Sequence, residues 1–360
     1  MKYHEQLCQW YKNTTGKNLN LDNPQTFNEK IQWSKLYDST PIKTKLADKF
    51  LVRKWVARKI GKKYLIPLLG IYNSFDEIDF DKLPNQFVIK CNHGAGYNIV
   101  VKDKSQLDLK DARQKINSWM SEDFAFKNGC ELHYHNIKHK IIIEKFIENN
   151  SKKDLNDYKF YCFNGQVKYI QVISERTINS HTVSFYDKKW NKQDWWDNNR
   201  FNGEIEKPKQ LEKMISLATK LSKGFNFVRV DLYYLDTEDI YFGEMTFTPS
   251  SGTMSWSSEE INLYFGNMYK LPRYEYDIET GKYHLARRDM KYSISIPVIK
   301  CSKHDNKIKL SIFGAQVFKL KNTEKDYIIY LFGLQVYKRH ISQGYAKINI
   351  FGIRIWKYKI

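Results

Sequence analysis

Cysteine is scarce in this sequence. Its five residues, Cys8, Cys91, Cys130, Cys162 and Cys301, are odd in number and far apart, with no C-x-x-C spacing, which excludes a disulfide framework or a zinc knuckle as an organising device. Long apolar runs are missing too: nothing approaches the roughly 18 apolar residues of a membrane span. The opening MKYHEQLCQWYKNTTG lacks the apolar centre of a secretory signal, so the expected location is the cytoplasm. No G-K-[ST] follows a glycine-rich stretch, which excludes a Walker loop. No Ser-His-Asp or Cys-His set suggests a protein nucleophile. Acids are in deficit, 40 Asp and Glu against 59 Lys and Arg, for a formal net charge of +19. That surplus favours an anionic partner such as a nucleotide, an acidic glycan, a membrane face or nucleic acid, and says nothing about the fold.

Aromatic residues, by contrast, make up 15% of the 360 residues, and this length allows a large core with two or more subdomains. The most informative stretch is FVRVDLYYLDTEDIYFGEMTFTPSSG, from Phe227 to Gly252. Two runs rich in β-branched and aromatic residues flank the polar loop Leu235 to Asp239, which predicts a hairpin. Antiparallel pairing brings Asp231 and Glu244 side by side. Two facing acids repel unless a cation lies between them, and all-oxygen ligation suits Mg²⁺; otherwise they are solvent-facing strand acids.

Earlier in the chain, Asn23-Pro24-Gln25-Thr26-Phe27-Asn28-Glu29 offers a capped helix start with Ile31, Trp33, Leu36 and Tyr37 on one face. A second helix is expected from Ile42 to Ile60, carrying Asp48 and Lys49, and a third from Leu109 to Met120. Gln86 to Lys90 and Ile99 to Val101 read as strands around Cys91-Asn92-His93-Gly94-Ala95-Gly96-Tyr97-Asn98. Gly94 and Gly96 let backbone N–H groups approach an anion, with Lys90 at the base of the loop. Lys140 to Ile147 is a further strand. Asn164-Gly165 joins two more, Tyr158 to Phe163 and Val167 to Ile173, in the strongest hairpin signal present. The fold class is therefore α+β with antiparallel sheets. His133, His135 and His139 are expected at the surface or in a basic loop more than as a metal site. Trp190, Trp195 and Trp196 either pack under a loop or stack on sugar rings.

In this order the segments TFNEKIQW, ADKFLVRKWV, LPNQFVIKCNHGAGYNIVVKDK, EKFI, DYKFYCFNGQVKYI and the Phe227 to Gly252 stretch resemble ATP-grasp enzymes. The likeness is to the teichuronopeptide-biosynthesis type found among surface-polysaccharide proteins, and it spans roughly residues 15 to 256. It implies a nucleotide bound between two antiparallel-rich sheets. Lys49 and Lys90 match the phosphate-facing lysines, Gly94 and Gly96 the loop over the phosphates, and Glu144 with the backbone of Lys145 and Ile147 the adenine hinge. Lys159 and Arg176 resemble basic residues that contact phosphate or the carboxylate substrate. Arg229 matches the oxyanion-stabilising arginine, with Asp231 and Glu244 as metal ligands. Thr246 stands where the pattern has an asparagine, which puts a second metal in doubt. The implied activity is ATP-dependent carboxylate–amine ligation, using ATP and Mg²⁺. The implied partners are an acidic glycan or precursor with a carboxylate and an amine donor such as an amino acid. The competing readings are a glycan kinase or glycosyltransferase of the same pathway, and a basic protein binding nucleic acid or membrane. The ordered set Lys49, Lys90, Arg229, Asp231 and Glu244 argues against the last.

The expected domains are a helical region up to residue 62, a catalytic core over 63–289 with a lid at about 85–145, and a basic tail over 290–360. From Lys291 to Ile360 there are fourteen Lys and Arg against three acids. Phe-Gly pairs recur every 19 residues, at Gly314, Gly333 and Gly352. Alternation slips by one residue at each pair, which predicts a bulge or corner in a stacked β array. An anionic membrane surface or an acidic glycan is the partner its charge suggests, with the inner membrane face as one location.

Overall fold

The structure, a computed structural model, describes residues 2–149, 151, 155–174, 182–195, 205–286, 299–304, 307–312, 315–323, 325–331, 334–342, 345–350 and 353–359. The chain forms two compact units, Met1–Ala286 and Arg287–Ile360.

The first unit begins with helices α1 (Lys2–Thr15), α2 (Phe27–Tyr37), α3 (Pro41–Ala47) and α4 (Val52–Lys59). Helix α2 starts as its sequence predicts. Thr26 Oγ1 accepts from the Glu29 N–H, and Glu29 Oε2 accepts from the Thr26 N–H at 3.0 Å, a reciprocal capping box. The single helix expected over 42–60 is instead two. Asp48 leaves the helical region (φ −70°, ψ 113°), and its Oδ1 accepts from the N–H groups of Phe50 (2.8 Å) and Leu51 (3.0 Å). A short carboxylate thus competes with the helix ladder and restarts it, leaving Lys49 at an elbow.

Strands β1 (Leu68–Tyr72), β2 (Phe87–Cys91), β3 (Asn98–Val101) and β4 (Ile141–Lys145) form an antiparallel sheet in the order β1-β4-β2-β3. Helix α5 (Leu109–Ser121) packs Ala112 and Ile116 against Phe87, Ile89, Ile141 and Ile143.

The second sheet contains β5 (Asp157–Phe163), β6 (Gln166–Ser174), β7 (Thr182–Asp187), β8 (Lys192–Gln193), β9 (Phe227–Tyr234) and β10 (Ile240–Thr246), ordered β10-β9-β5-β6-β7-β8. The β5–β6 turn places Asn164 (φ 51°) and Gly165 (φ 73°) in the left-handed region that the Asn-Gly pair favours. One face of this sheet is closed by α6 (Leu211–Ser222), whose Leu211, Met214, Leu217 and Leu221 pack with Phe160, Val228, Val230 and Leu232. Each such burial contributes on the order of 1.5–3 kcal/mol. The other face meets α2, α7 (Glu259–Met268) and an aromatic cluster of Phe27, Tyr161, Phe227, Trp256 and Phe265. Trp190 stacks on Tyr186 (4.2 Å, 7°) and Trp195 packs edge-on to Tyr169 (4.4 Å), so both serve packing; Trp196 lies outside the described residues. A hairpin of β11 (Tyr274–Asp277) and β12 (Lys282–Leu285) ends the unit.

The second unit is a seven-stranded antiparallel meander. Its strands are β13 (Ile299–His304), β14 (Lys307–Ile312), β15 (Ala315–Asn322), β16 (Asp326–Leu331), β17 (Leu334–Ser342), β18 (Tyr345–Ile350) and β19 (Ile353–Lys359). The Phe-Gly pairs at 313–314, 332–333 and 351–352 lie outside the described residues. The phase change expected at the glycines falls three residues later. Register jumps from Leu310↔Phe318 to Ser311↔Gln316, and likewise in the next two repeats, so Val317, Val336 and Ile355 are the bulged positions. Among the described residues no helix is long and apolar enough to cross a membrane.

Candidate active site

Asp231 and Glu244 are direct cross-strand partners on β9 and β10. Simple alternation after Phe242↔Leu232 would set Gly243 opposite Asp231 and turn Glu244 toward the α6 core. A bulge between Phe242 and Glu244 shifts the register by one and returns Glu244 and Thr246 to the face of Asp231 and Arg229. Gly243 suits this position because a Cβ there would lie 3.1 Å from the Asp231 carbonyl oxygen.

Arg229 grips Asp231 with a two-pronged fork, Nε to Oδ1 and Nη2 to Oδ2, both 2.7 Å. The same Nη2 donates to Glu244 Oε1 (3.1 Å) and Thr246 Oγ1 (3.0 Å), and Thr246 donates to Glu244 Oε1 (2.9 Å). Lys159, paired in register with Asp231 from β5, bridges Asp231 Oδ2 and Asp157 Oδ2, each at 2.6 Å. Asp231 is 2% exposed and Glu244 36%, so Glu244 is the open member of the pair. Burial pushes Glu244 up, but Lys159, Lys49 and Arg229 outweigh it and hold its carboxyl at about 2. Asp231 differs: burial pushes its carboxyl up, against the pull of Arg229 and Lys159, so of the pair it is Glu244 that is held ionised for a hard cation.

The first sheet presents the other half. Glu144 on β4 is clamped between Lys90 on β2 (2.6 Å) and Arg53 on α4 (2.7 Å), while Arg53 also donates to the Ile66 carbonyl (2.7 Å). Lys49 Nζ donates to the Gly94 carbonyl and its N–H to the Asn92 carbonyl (3.1 Å), which fixes the elbow against the glycine loop. Burial and neighbouring Lys90 pull the Lys49 ammonium below the ordinary lysine value, against the attraction of Glu244. Lys49 thus feels groups on both sheets. Gly96 has φ 75°, a conformation that other residues rarely adopt. The Lys145 N–H is taken by the Pro67 carbonyl (2.9 Å), so it is not the donor offered to an adenine edge. Ile147 lies in the loop beyond β4, and Arg176 lies outside the described residues.

Three residues join this region without a sequence prediction. Arg53 holds Glu144, Asp157 holds Lys159, and Glu131 accepts from Thr248 and, at 3.3 Å, from Ser251. Glu131 thereby fixes the turn after β10, where Ser250 (φ 47°) and Ser251 (φ 50°) are left-handed. Arg53 and Asp157 sit inside the quoted motifs and carried no separate signal; Glu131 carried none. The expectation of surface histidines holds for His135, which is exposed, and fails for His133, which is 1% exposed. His133 is held by rings, Tyr134 at 4.3 Å and Phe247 at 6.0 Å.

The donor set fits magnesium: two carboxylates and a hydroxyl converge, all oxygen. Among the described residues no cluster of three or more His, Cys, Asp or Glu could hold a metal, and Mg²⁺ ordinarily uses one or two carboxylates with phosphate and water oxygens.

Two antiparallel sheets, one bearing lysines beside a glycine loop and the other paired carboxylates beside an arginine, define an ATP-grasp enzyme. The sequence narrows this further: residues 29–270 match the family described as TupA-like ATPgrasp, and the chain belongs to that family. No curated protein matches it. Among solved structures, D-alanine–D-alanine ligase from Bacillus anthracis complexed with ATP is similar over 56% of this chain and 55% of its own, at 18% identity and a TM-score of 0.33. A D-cycloserine synthetase is similar over 64% of this chain and 72% of its own, at 13% identity and a TM-score of 0.36. Biotin carboxylase from Campylobacter jejuni is similar over 63% and 47%, at 14% identity and a TM-score of 0.33. The chain spans about half the length of the first of these.

Proposed function

We propose that the protein is an ATP-dependent carboxylate–amine ligase acting on a uronic-acid-containing glycan or its precursor. The observation that carries this reading is the register pairing of Asp231 with Glu244 beside Arg229 and Lys159, facing the same region as Lys49. Lys49 and Lys90 would neutralise the triphosphate, and the Gly94 to Gly96 loop would lend backbone N–H groups. Asp231, Glu244 and Thr246 would hold Mg²⁺, which when bound offsets phosphate charge. The γ-phosphoryl group passes in line to a substrate carboxylate oxygen, giving an acyl phosphate and ADP. An amine, an amino acid being the simplest, then attacks the acyl carbon and phosphate leaves. Arg229 would stabilise the oxyanion of that step. The glycan assignment rests on the charge of +19 and on the resemblance to surface-polysaccharide proteins.

The test is the mass of the product formed from ATP, a uronate oligosaccharide and a mixture of amino acids. Joining with loss of water, dependent on ATP and yielding ADP, is expected. Asp231→Asn and Glu244→Gln should stay folded and lose turnover by several orders of magnitude. A phosphorylated or glycosylated product, AMP formation, or full activity in either variant would overturn the assignment.

A further inference from the structure

Most of the strand lysines of the second unit fall on one face of its sheet; Lys303, opposite Ile308, and Arg339, opposite Tyr327 and Ile348, fall on the other. Lys307 is the register partner of Lys321, Lys309 of Lys319 and Lys347 of Lys357, while Lys338 lies opposite both Ile328 and Asn349. Cross-strand partners share a face and every second residue returns to it, so these positions form one continuous surface that also takes in Lys300, Arg354 and Lys359. The opposite face takes the pairs Leu310–Phe318, Ile329–Tyr337 and Ile348–Trp356.

The three bulges create this segregation. With unbroken alternation Lys319 would pair with Ile308, Lys338 with Tyr327 and Lys357 with Ala346, and each lysine would fall on the apolar face. The extra residue at Val317, Val336 and Ile355 moves all three to the basic face. Lysines directly opposite one another destabilise a sheet, and the acid on this face, Asp326, is engaged by His340 (2.7 Å) and Lys338 (3.6 Å). A repeated device that gathers like charges at a cost to folding implies a ligand that supplies the counter-charge. Beside these lysines the face carries hydroxyl and amide residues, among them Ser302, Ser311, Gln316, Gln335 and Asn349, with His304 and Tyr345, together with Tyr330, whose ring lies 5.1 Å from Lys319 Nζ. Ile328, an apolar member, is 6% exposed. A leaflet-binding surface sets its lysines beside apolar side chains that enter the bilayer. This face sets them beside groups that hydrogen-bond.

We propose that this face binds an extended acidic polysaccharide. Seven strands at ~4.8 Å spacing give a platform about 29 Å across, and ammonium groups would meet carboxylates while hydroxyls and amides meet sugar hydroxyls. The proposal rests on the acidic-glycan part of the reading above and not on the ligation chemistry, so binding is measured without ATP.

The experiment uses the full chain with polygalacturonate as probe and dextran as the neutral control. The protein should retain polygalacturonate at low salt, release it at high salt and ignore dextran. Changing Lys319, Lys321, Lys338 and Lys347 together to serine should weaken binding about tenfold or more. The same four changed to arginine should bind normally, which separates charge from folding. An equal charge loss on exposed lysines of the first unit, Lys102, Lys110, Lys189 and Lys270, should leave binding unchanged. No binding by the parent chain, equal loss in both serine variants, loss in the arginine variant, or tighter binding to phosphatidylserine vesicles or to DNA would overturn the proposal.

Discussion

Replacing Arg229 with methionine tests how far the paired carboxylates depend on their own protein for balance. The guanidinium is 10% exposed and makes four hydrogen bonds, two of them a fork on Asp231, which is itself 2% exposed. Removing one partner of a buried ion pair costs about 3–5 kcal/mol because the other charge is left uncompensated. Here the lower end is expected, since Lys159 remains 2.6 Å from Asp231. Arg229→Lys keeps the charge but cannot reproduce the planar fork, and should cost about 1.5–3 kcal/mol. The double variant Arg229→Met with Asp231→Leu removes both charges and should recover much of the loss, because replacing a whole buried pair by apolar groups is often neutral. Urea unfolding with unchanged m-values reads all three. A loss below about 1 kcal/mol in Arg229→Met, or a double variant less stable than either single one, would refute the claim that Arg229 compensates the buried Asp231.

Deleting Gly243 removes the bulge but leaves Glu244 next after Phe242 and still opposite Asp231, so a loss below about 2 kcal/mol is expected, whereas Gly243→Ala keeps the bulge, sets a Cβ 3.1 Å from the Asp231 carbonyl oxygen and should cost about 1–3 kcal/mol. A deletion that costs more than about 3 kcal/mol in urea unfolding would show that Gly243 is not the extra residue of this strand pair. Acid sensitivity should arise from His133 and His93, which burial above all holds down at about 3 and about 4 from an ordinary 6.5. The unfolded chain takes up these protons near pH 6.5 and the folded chain only near 4 or below. Stability is therefore full above about pH 6.5 and falls as pH drops toward 4, by about 1.4 kcal/mol per pH unit for each group. Thermal midpoints that stay flat between pH 7 and 5, or a His133→Leu variant with an undiminished slope, would count against this.

Local chemistry explains what the sequence made legible. Thr26 with Glu29, Asn164 with Gly165 and the Asp231 hairpin are each decided within a few residues, and each is found as expected. The break at Asp48 is also local, yet an Asx-type bond to Phe50 and Leu51 looks no different in sequence from a surface acid. Helix α6 has no place in the sequence reading although Leu211, Met214, Leu217, Ala218 and Leu221 repeat at three and four. Arg53 and Glu131 depend on chain closure, with partners 91 and 117 positions away, whereas the partner of Asp157 is two positions away and was missed only because an Asp-x-Lys pair reads as an ordinary surface charge pair. His133 was misplaced because an H-x-H motif reads as polar, whereas a neutral imidazole packs among rings.

Charge balance links these residues to the chemistry proposed for them. Asp231 is matched by Arg229 and Lys159, Asp157 by Lys159, and Glu144 by Lys90 and Arg53. Lys49 differs in that its ammonium donates to a neutral group, the Gly94 carbonyl, while burial and Lys90 weaken its hold on the proton. An arriving polyphosphate would have to compete with carboxylates for the other cations, but with a single carbonyl for Lys49. Exchanging that carbonyl for a phosphate oxygen turns a neutral hydrogen bond into a charge-assisted one, roughly twice as strong. It would also release one of the two bonds by which Lys49 holds the glycine loop, the N–H to the Asn92 carbonyl remaining. Phosphate capture by Lys49 would thus loosen the loop through that one bond. The elbow at Asp48, which a continuous helix would have removed, is what holds Lys49 within reach of Gly94.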